Sequence, residues 1–133
     1  MEDNEALTEA CVSGRSNAAL LPATRVSYQK NKVIVCVSAG QRYDDNQKFI
    51  IEEFHKLCPD ADIVWAKDPK YEYEVPEWMR TVRWYSLRWI YEHATAKIWT
   101  NNCGEPDYFV KRKGQMYIET WHGGLGIKTV ARD

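Results

Sequence analysis

At 133 residues the chain suits one domain with a modest core, and 44% hydrophobic with 28% charged residues is the balance of a folded protein rather than a disordered tail. A net charge of −1 offers no global field for nucleic acid or a membrane. The four cysteines form no C-x-x-C pair, which points away from a zinc or disulfide framework and suits a reducing cytosol; no apolar run reaches the ~18 residues needed to span a bilayer.

Residues 1–31, with the small polar run "ACVSGRSNAALLPATR" and one short helical stretch between Glu5 and Val12, read as a loosely ordered leader outside the core. From Lys32 the texture changes. "KVIVCVS" is a continuous β-branched run, the pattern of a strand buried on both faces of a parallel sheet. The loop "SAGQRYDDN" follows. Asp44 or Asp45 is placed to cap a helix whose Ile50, Phe54 and Leu57 form one stripe and which Pro59 ends. "ADIVWA" is a second strand and "MRTVRW" a candidate third. Ser86 caps a helix predicted to bury Leu87, Ile90, Tyr91 and Ala94. "AKIWTN" is a strand, "EPDYFVKRK" a helical segment or tight turn, and "QMYIETW" the last strand, before a glycine-rich loop. Strands alternating with helices over short loops predict an α/β fold, a Rossmann-like parallel sheet with flanking helices spanning residues 32–133.

In such sheets ligands gather at the carboxyl ends of the strands. Three loops qualify: residues 38–46, 100–106 and 121–128. In "TWHGGLGIK" a strand delivers His122 into a turn. Gly123, Gly124 and Gly126 clear side chains from around it, opening backbone N–H groups to oxyanions, and Lys128 adds a cation. A histidine accepts a proton near neutral pH. Base, open donors and cation are what phosphate chemistry requires, although a structural histidine in a turn is an equal reading of the residues alone. There is no G-x-G-x-x-G, no P-loop and no G-x-S-x-G, so dinucleotide, P-loop and serine-esterase chemistry lack support. His55 and His93 read as surface residues. From Trp78 to Lys113 seven basic residues face three acidic ones, which reads as a solvated helix face or a surface for anionic lipid.

The same residues carry a family resemblance. "YIETWHGGLGIK", followed by "VARD", is similar to the signature of the CDP-glycerol glycerophosphotransferases, the teichoic-acid primase and polymerase family. "SAGQRYDDNQKFIIEEF" and "AKIWTNN" resemble, less specifically, the family's first loop and helix and its strand ending in Asn. The resemblance implies the amino-terminal, acceptor-side half of a two-domain GT-B enzyme whose carboxyl-terminal donor domain is not in this sequence. It implies transfer of glycerol phosphate from CDP-glycerol to a hydroxyl on a polyol-phosphate or lipid-linked glycan acceptor, releasing CMP. His122 would be the general base, with Gly123, Gly124, Lys128, Ser38, Arg42, Asn46 and Asn101 binding substrate. No metal, cofactor or nucleic acid is expected. A peripheral place at the inner membrane face is expected, as is inactivity of the chain alone. The rival reading is an acceptor-binding module without catalysis.

Overall fold

The computed structural model describes residues 27–106 and 109–120. Strand β1 (Gln29–Cys36) leads through a 3-10 turn at Ser38–Gly40 to helix α1 (Asp45–Leu57), then β2 (Asp62–Lys67) and β3 (Arg80–Arg83). Helix α2 (Leu87–Thr95), β4 (Ala96–Asn101) and β5 (Met116–Glu119) follow. The five strands form one sheet in the order β3-β2-β1-β4-β5, and every pairing is parallel. The α/β expectation holds, and β1 begins at Gln29, inside the segment read as leader. Residues 1–26 lie outside the described part.

A central strand in a parallel sheet is covered on both faces, so alternate residues of β1 enter different cores. Ile34 and Cys36 join Val64, Ala66, Val82 and Trp99 on one face, which α2 closes with Trp89. Val33, Val35 and Val37 join Ile63, Trp65 and Met79 on the other, closed by Ile51 of α1. Burying a large apolar side chain is worth roughly 1.5–3 kcal/mol. The two clusters are therefore the main source of stability, and three of the six tryptophans are core residues. Among the described residues no helix is long and apolar enough to cross a membrane.

Each helix keeps a predicted face residue against the core, Phe54 in α1 and Ile90 in α2, but turns others outward. In α1 the buried positions are Gln47 and Ile51, while Ile50 is exposed and the terminal Leu57 is 81% exposed. In α2 the buried residues are Trp89, Glu92, His93 and Thr95, with Leu87 and Tyr91 outside. The cause is the same in each. A polar side chain that finds hydrogen-bond or ionic partners inside outweighs an apolar one at the helix edge, and a count of apolar residues cannot register it. Ser86 does cap α2: its hydroxyl accepts from Trp89 N at 3.2 Å and donates to the Arg83 carbonyl at 2.6 Å. Asp44 is the residue before α1 but makes no capping hydrogen bond. After β4, Phe109 N donates to the Pro106 carbonyl at 2.9 Å.

At the amino ends of the strands lies a charged knot. Glu92, 0% exposed, receives Lys32, Arg88 at 2.7 Å and Arg80 at 3.5 Å; Arg80 also holds Asp62 at 2.7 Å. Lys32, 2% exposed, donates further to Thr95 Oγ1 at 2.7 Å. Burial would raise the Glu92 carboxyl, but the Lys32, Arg80 and Arg88 partners outweigh it and hold it below the ordinary value. The hydrogen bond from Arg80 lowers Asp62 in the same way.

Candidate functional site

The order β3-β2-β1-β4-β5 reverses at β1: the chain moves outward through β2 and β3, then restarts on the opposite flank with β4. The carboxyl ends of β1 and β4 are therefore the switch point, where an open parallel sheet leaves its ligand crevice. The loop leaving β1 is strained there. Ser38, Ala39 and Asp45 have φ of 45°, 57° and 63°, conformations that cost side-chain-bearing residues energy and gather at functional sites.

Several bonds hold this loop. Gly40 has φ +81°, and a Cβ on it would stand 2.7 Å from the Asp68 backbone nitrogen, so only glycine fits. Its carbonyl accepts from Asp68 N and from the Tyr73 hydroxyl, each at 2.8 Å, which ties the exits of β1 and β2. Burial pushes the Tyr73 phenol up to about 12. Beneath the turn, burial raises the Cys36 thiol, which keeps it an inert core residue.

Asn102 joins the first two loops. Its Oδ1 accepts from Ser38 N at 2.8 Å and its Nδ2 donates to Asp45 Oδ2 at 2.6 Å. Beside it Asn101 is 1% exposed. Tyr117 has one hydroxyl proton and two neighbours, Glu119 Oε2 at 2.7 Å and the Asn101 amide at 3.0 Å. The carboxylate is the stronger acceptor of that proton. Asn101 Nδ2 and Gln47 Oε1 have no hydrogen-bond partner among the described residues. One buried donor and one buried acceptor thus sit at the switch point. Burial, then the Glu119 hydrogen bond, raises the Tyr117 phenol well above its usual value.

Of the predicted substrate residues, Ser38 and Asn101 meet at this edge, one through Asn102 and the other next to it. Arg42, in the loop, and Asn46, in the first turn of α1, are exposed: Arg42 pairs with Asp44 at 3.0 Å, and the Asn46 N–H donates to Asp45 Oδ1 at 2.8 Å. His122, Gly123, Gly124, Gly126 and Lys128 lie outside the described residues. The last described residue before them is Thr120, whose N–H donates to the Asn101 carbonyl at 3.1 Å.

Two histidine expectations are corrected. His93 is 1% exposed, with Nδ1 3.0 Å from the Trp89 carbonyl and Nε2 3.1 Å from Glu105 Oε1, stacked on Phe109. A carbonyl can only accept, so Nδ1 carries a proton and Nε2 shares one with Glu105. His55 is half-buried and stacks on Trp78 with centroids 4.0 Å apart. The basic stretch is not one solvated face either. Arg80 and Arg88 hold carboxylates, while Lys97, Lys111 and Arg112 donate to the carbonyls of Gly114, Gln115 and Ala94. Arg83 and Lys113 are exposed.

Sequence reasoning missed Asn102, Gln47, Tyr117 and Glu119. Asn102 was within reach, as the second residue of an Asn-Asn pair leaving a strand; Gln47 carried no signal that would separate it from a solvated helix residue.

A parallel α/β domain with its polar edge at a β1/β4 switch point is the class of half-domain from which GT-B transferases are built. Residues 20–133 match the family described as CDP-Glycerol:Poly(glycerophosphate) glycerophosphotransferase, and the chain belongs to that family. It is 32% identical over 105 residues to a teichoic acid poly(glycerol phosphate) polymerase of Staphylococcus epidermidis, covering 78% of this chain and 14% of that protein. A teichoic acid glycerol-phosphate transferase of Staphylococcus aureus is 31% identical over 98 residues, covering 68% of this chain and 25% of that protein. A solved structure of a variant of the wall teichoic acid polymerase TagF matches with a TM-score of 0.73 at 23% identity, over 100% of this chain and 34% of that one. The last likeness establishes the fold. The chain spans between 14% and 25% of the length of these two curated relatives.

Proposed function

We propose that this chain is the acceptor-side half of an enzyme that transfers glycerol phosphate from CDP-glycerol to a hydroxyl of a teichoic-acid or related glycerophosphate-containing polymer. The observation that carries the reading is the polar edge joining the exits of β1, β4 and β5, in a chain of this family, shortly before His122 in the sequence. In the step proposed, the acceptor oxygen attacks the phosphorus that bears glycerol and the bond to the bridging oxygen breaks. CMP leaves with that electron pair, and His122 takes the acceptor proton. Gly123, Gly124 and Lys128 are assigned to the phosphate, and Ser38, Arg42, Asn46 and Asn101 to the acceptor side. The activated diphosphate drives the reaction, so no cofactor enters the proposal.

A GT-B site needs donor and acceptor held together, and that proximity supplies much of the rate. The chain alone is therefore expected to release no CMP from CDP-glycerol, while a polypeptide that joins it to a donor half should do so with acceptor present. Chromatographic detection of CMP decides. Release by the chain alone would contradict the two-half reading, and no release from the joined protein would leave an acceptor-binding module.

The reaction is placed in the cytoplasm, peripheral to an anionic membrane surface, with the exposed Arg83 and Lys113 as its contacts. At about 1 kcal/mol per cation, binding should be weak. It should appear in sedimentation with anionic vesicles, vanish with neutral ones, and fall with salt. Binding indifferent to lipid charge and salt would remove the idea.

A further inference from the structure

We propose that Gln47 is a positioning residue for the transfer reaction, acting through the exit of β5. The inference rests on the function proposed above. Gln47 stands in the first turn of α1 and is 0% exposed. Both of its amide protons are used. One goes to the Asn101 carbonyl and the other to Thr120 Oγ1 at 2.7 Å. The same carbonyl accepts Thr120 N at 3.1 Å, so the glutamine, the exit of β4 and the exit of β5 share one junction.

Its place in the ladder gives the junction its purpose. The last paired residues of β4 and β5 are Asn101 and Glu119, so regular pairing stops one residue before Thr120. Strand β5 has four residues and lies at the sheet edge with Met116 and Ile118 exposed, which leaves its end weakly determined by the sheet. Gln47 extends the fixed region past the ladder, from the first turn of α1. Two residues beyond Thr120 the chain reaches His122. A side chain that only filled space would not need both protons engaged on two exits.

The molecule holds its own control. Gln115, 5% exposed, stands at the amino end of β5 and uses its amide in the same manner, donating to the His93 carbonyl at 3.1 Å and the Ala96 carbonyl at 2.7 Å. It fastens the same strand at the end remote from the crevice. Replacing either glutamine by methionine keeps the volume and removes the donors, so both variants should lose stability. Only one should lose rate.

The test has two arms. In this chain, Gln47→Met should speed hydrogen exchange of the Thr120 amide by about tenfold or more, because local opening there loses its main restraint. Gln115→Met should leave that amide unchanged. In the full protein carrying the chain, assayed well below each variant's Tm, Gln47→Met should lower kcat by about 10–100-fold, the scale of a reacting group misplaced by about an ångström, with KM for CDP-glycerol unchanged. Thr120→Val should lower kcat in the same direction, Thr120→Ser should restore it, and Gln115→Met should not change it. Unchanged Thr120 exchange in Gln47→Met overturns the proposal, as does an equal kcat loss in both glutamine variants. Should the full protein transfer no glycerol phosphate at all, the proposed function fails, and the exchange arm still decides whether Gln47 fixes the exit of β5.

Discussion

Glu92→Ala is expected to destabilise the chain by about 3–5 kcal/mol, the cost of stripping a buried ion of its partner. The loss comes mainly from what is left behind. Lys32 is 2% exposed and would keep the Thr95 hydroxyl at 2.7 Å and the face of the Tyr91 ring at 5.3 Å, neither of which neutralises it. Arg88 and Arg80 are 63% and 46% exposed, so water solvates them when the carboxylate goes, and they add little. The double variant Lys32→Met, Glu92→Leu should recover most of the stability, since apolar residues of similar volume often replace a buried pair at no net cost. Urea unfolding of the three proteins measures this. A single-variant loss below about 1 kcal/mol would mean the knot is no stronger than a surface pair.

The same carboxylate sets an acid limit. Its folded value lies below the ordinary glutamate value near 4.3, as does that of Asp62 beside Arg80 relative to aspartate. A carboxyl group lowered by folding stabilises fully above its unfolded value, and the contribution disappears as pH falls through the folded one. Stability should therefore be flat from neutral pH down to about 5 and drop below about 4. In Glu92→Gln the drop should be shallower.

What the sequence made legible was whatever one residue type or one period determines. "KVIVCVS" could only be a central strand, because a run of β-branched residues has no solvent face, and β1 is buried from Lys32 to Val37. Ser86 was legible as a cap for the same local reason. The helix faces were not, since the burial of Gln47, Glu92 and His93 depends on partners 54, 60 and 12 residues away: Asn101, Lys32 and Glu105. At the site, Ser38 and Asn101 could be named from their place after strands. The bridge between them is a side-chain amide, Asn102, whose value appears only when two loops 64 residues apart meet.

In a complete enzyme carrying this half, His122→Ala should lower kcat by roughly 10²–10⁴, the usual range for removing a general base. Affinity for CDP-glycerol should survive, because the nucleotide is assigned to the other half and the lost group serves the acceptor hydroxyl. The other two histidines separate chemistry from stability. His55 is stacked on Trp78 along α1 and its removal should leave kcat unchanged. His93 is enclosed by Trp89, Trp99 and Phe109 and joined to Glu105, so His93→Ala should lower Tm through a cavity and a carboxylate left without its partner. Its kcat, measured well below that Tm, should stay near normal. Three alanine variants thus give three patterns: rate lost with fold kept, neither lost, and fold weakened with rate kept. If His122→Ala followed the His93 pattern, the residue would be a structural histidine in a turn, and the phosphate-transfer reading of "TWHGGLGIK" would fail with it.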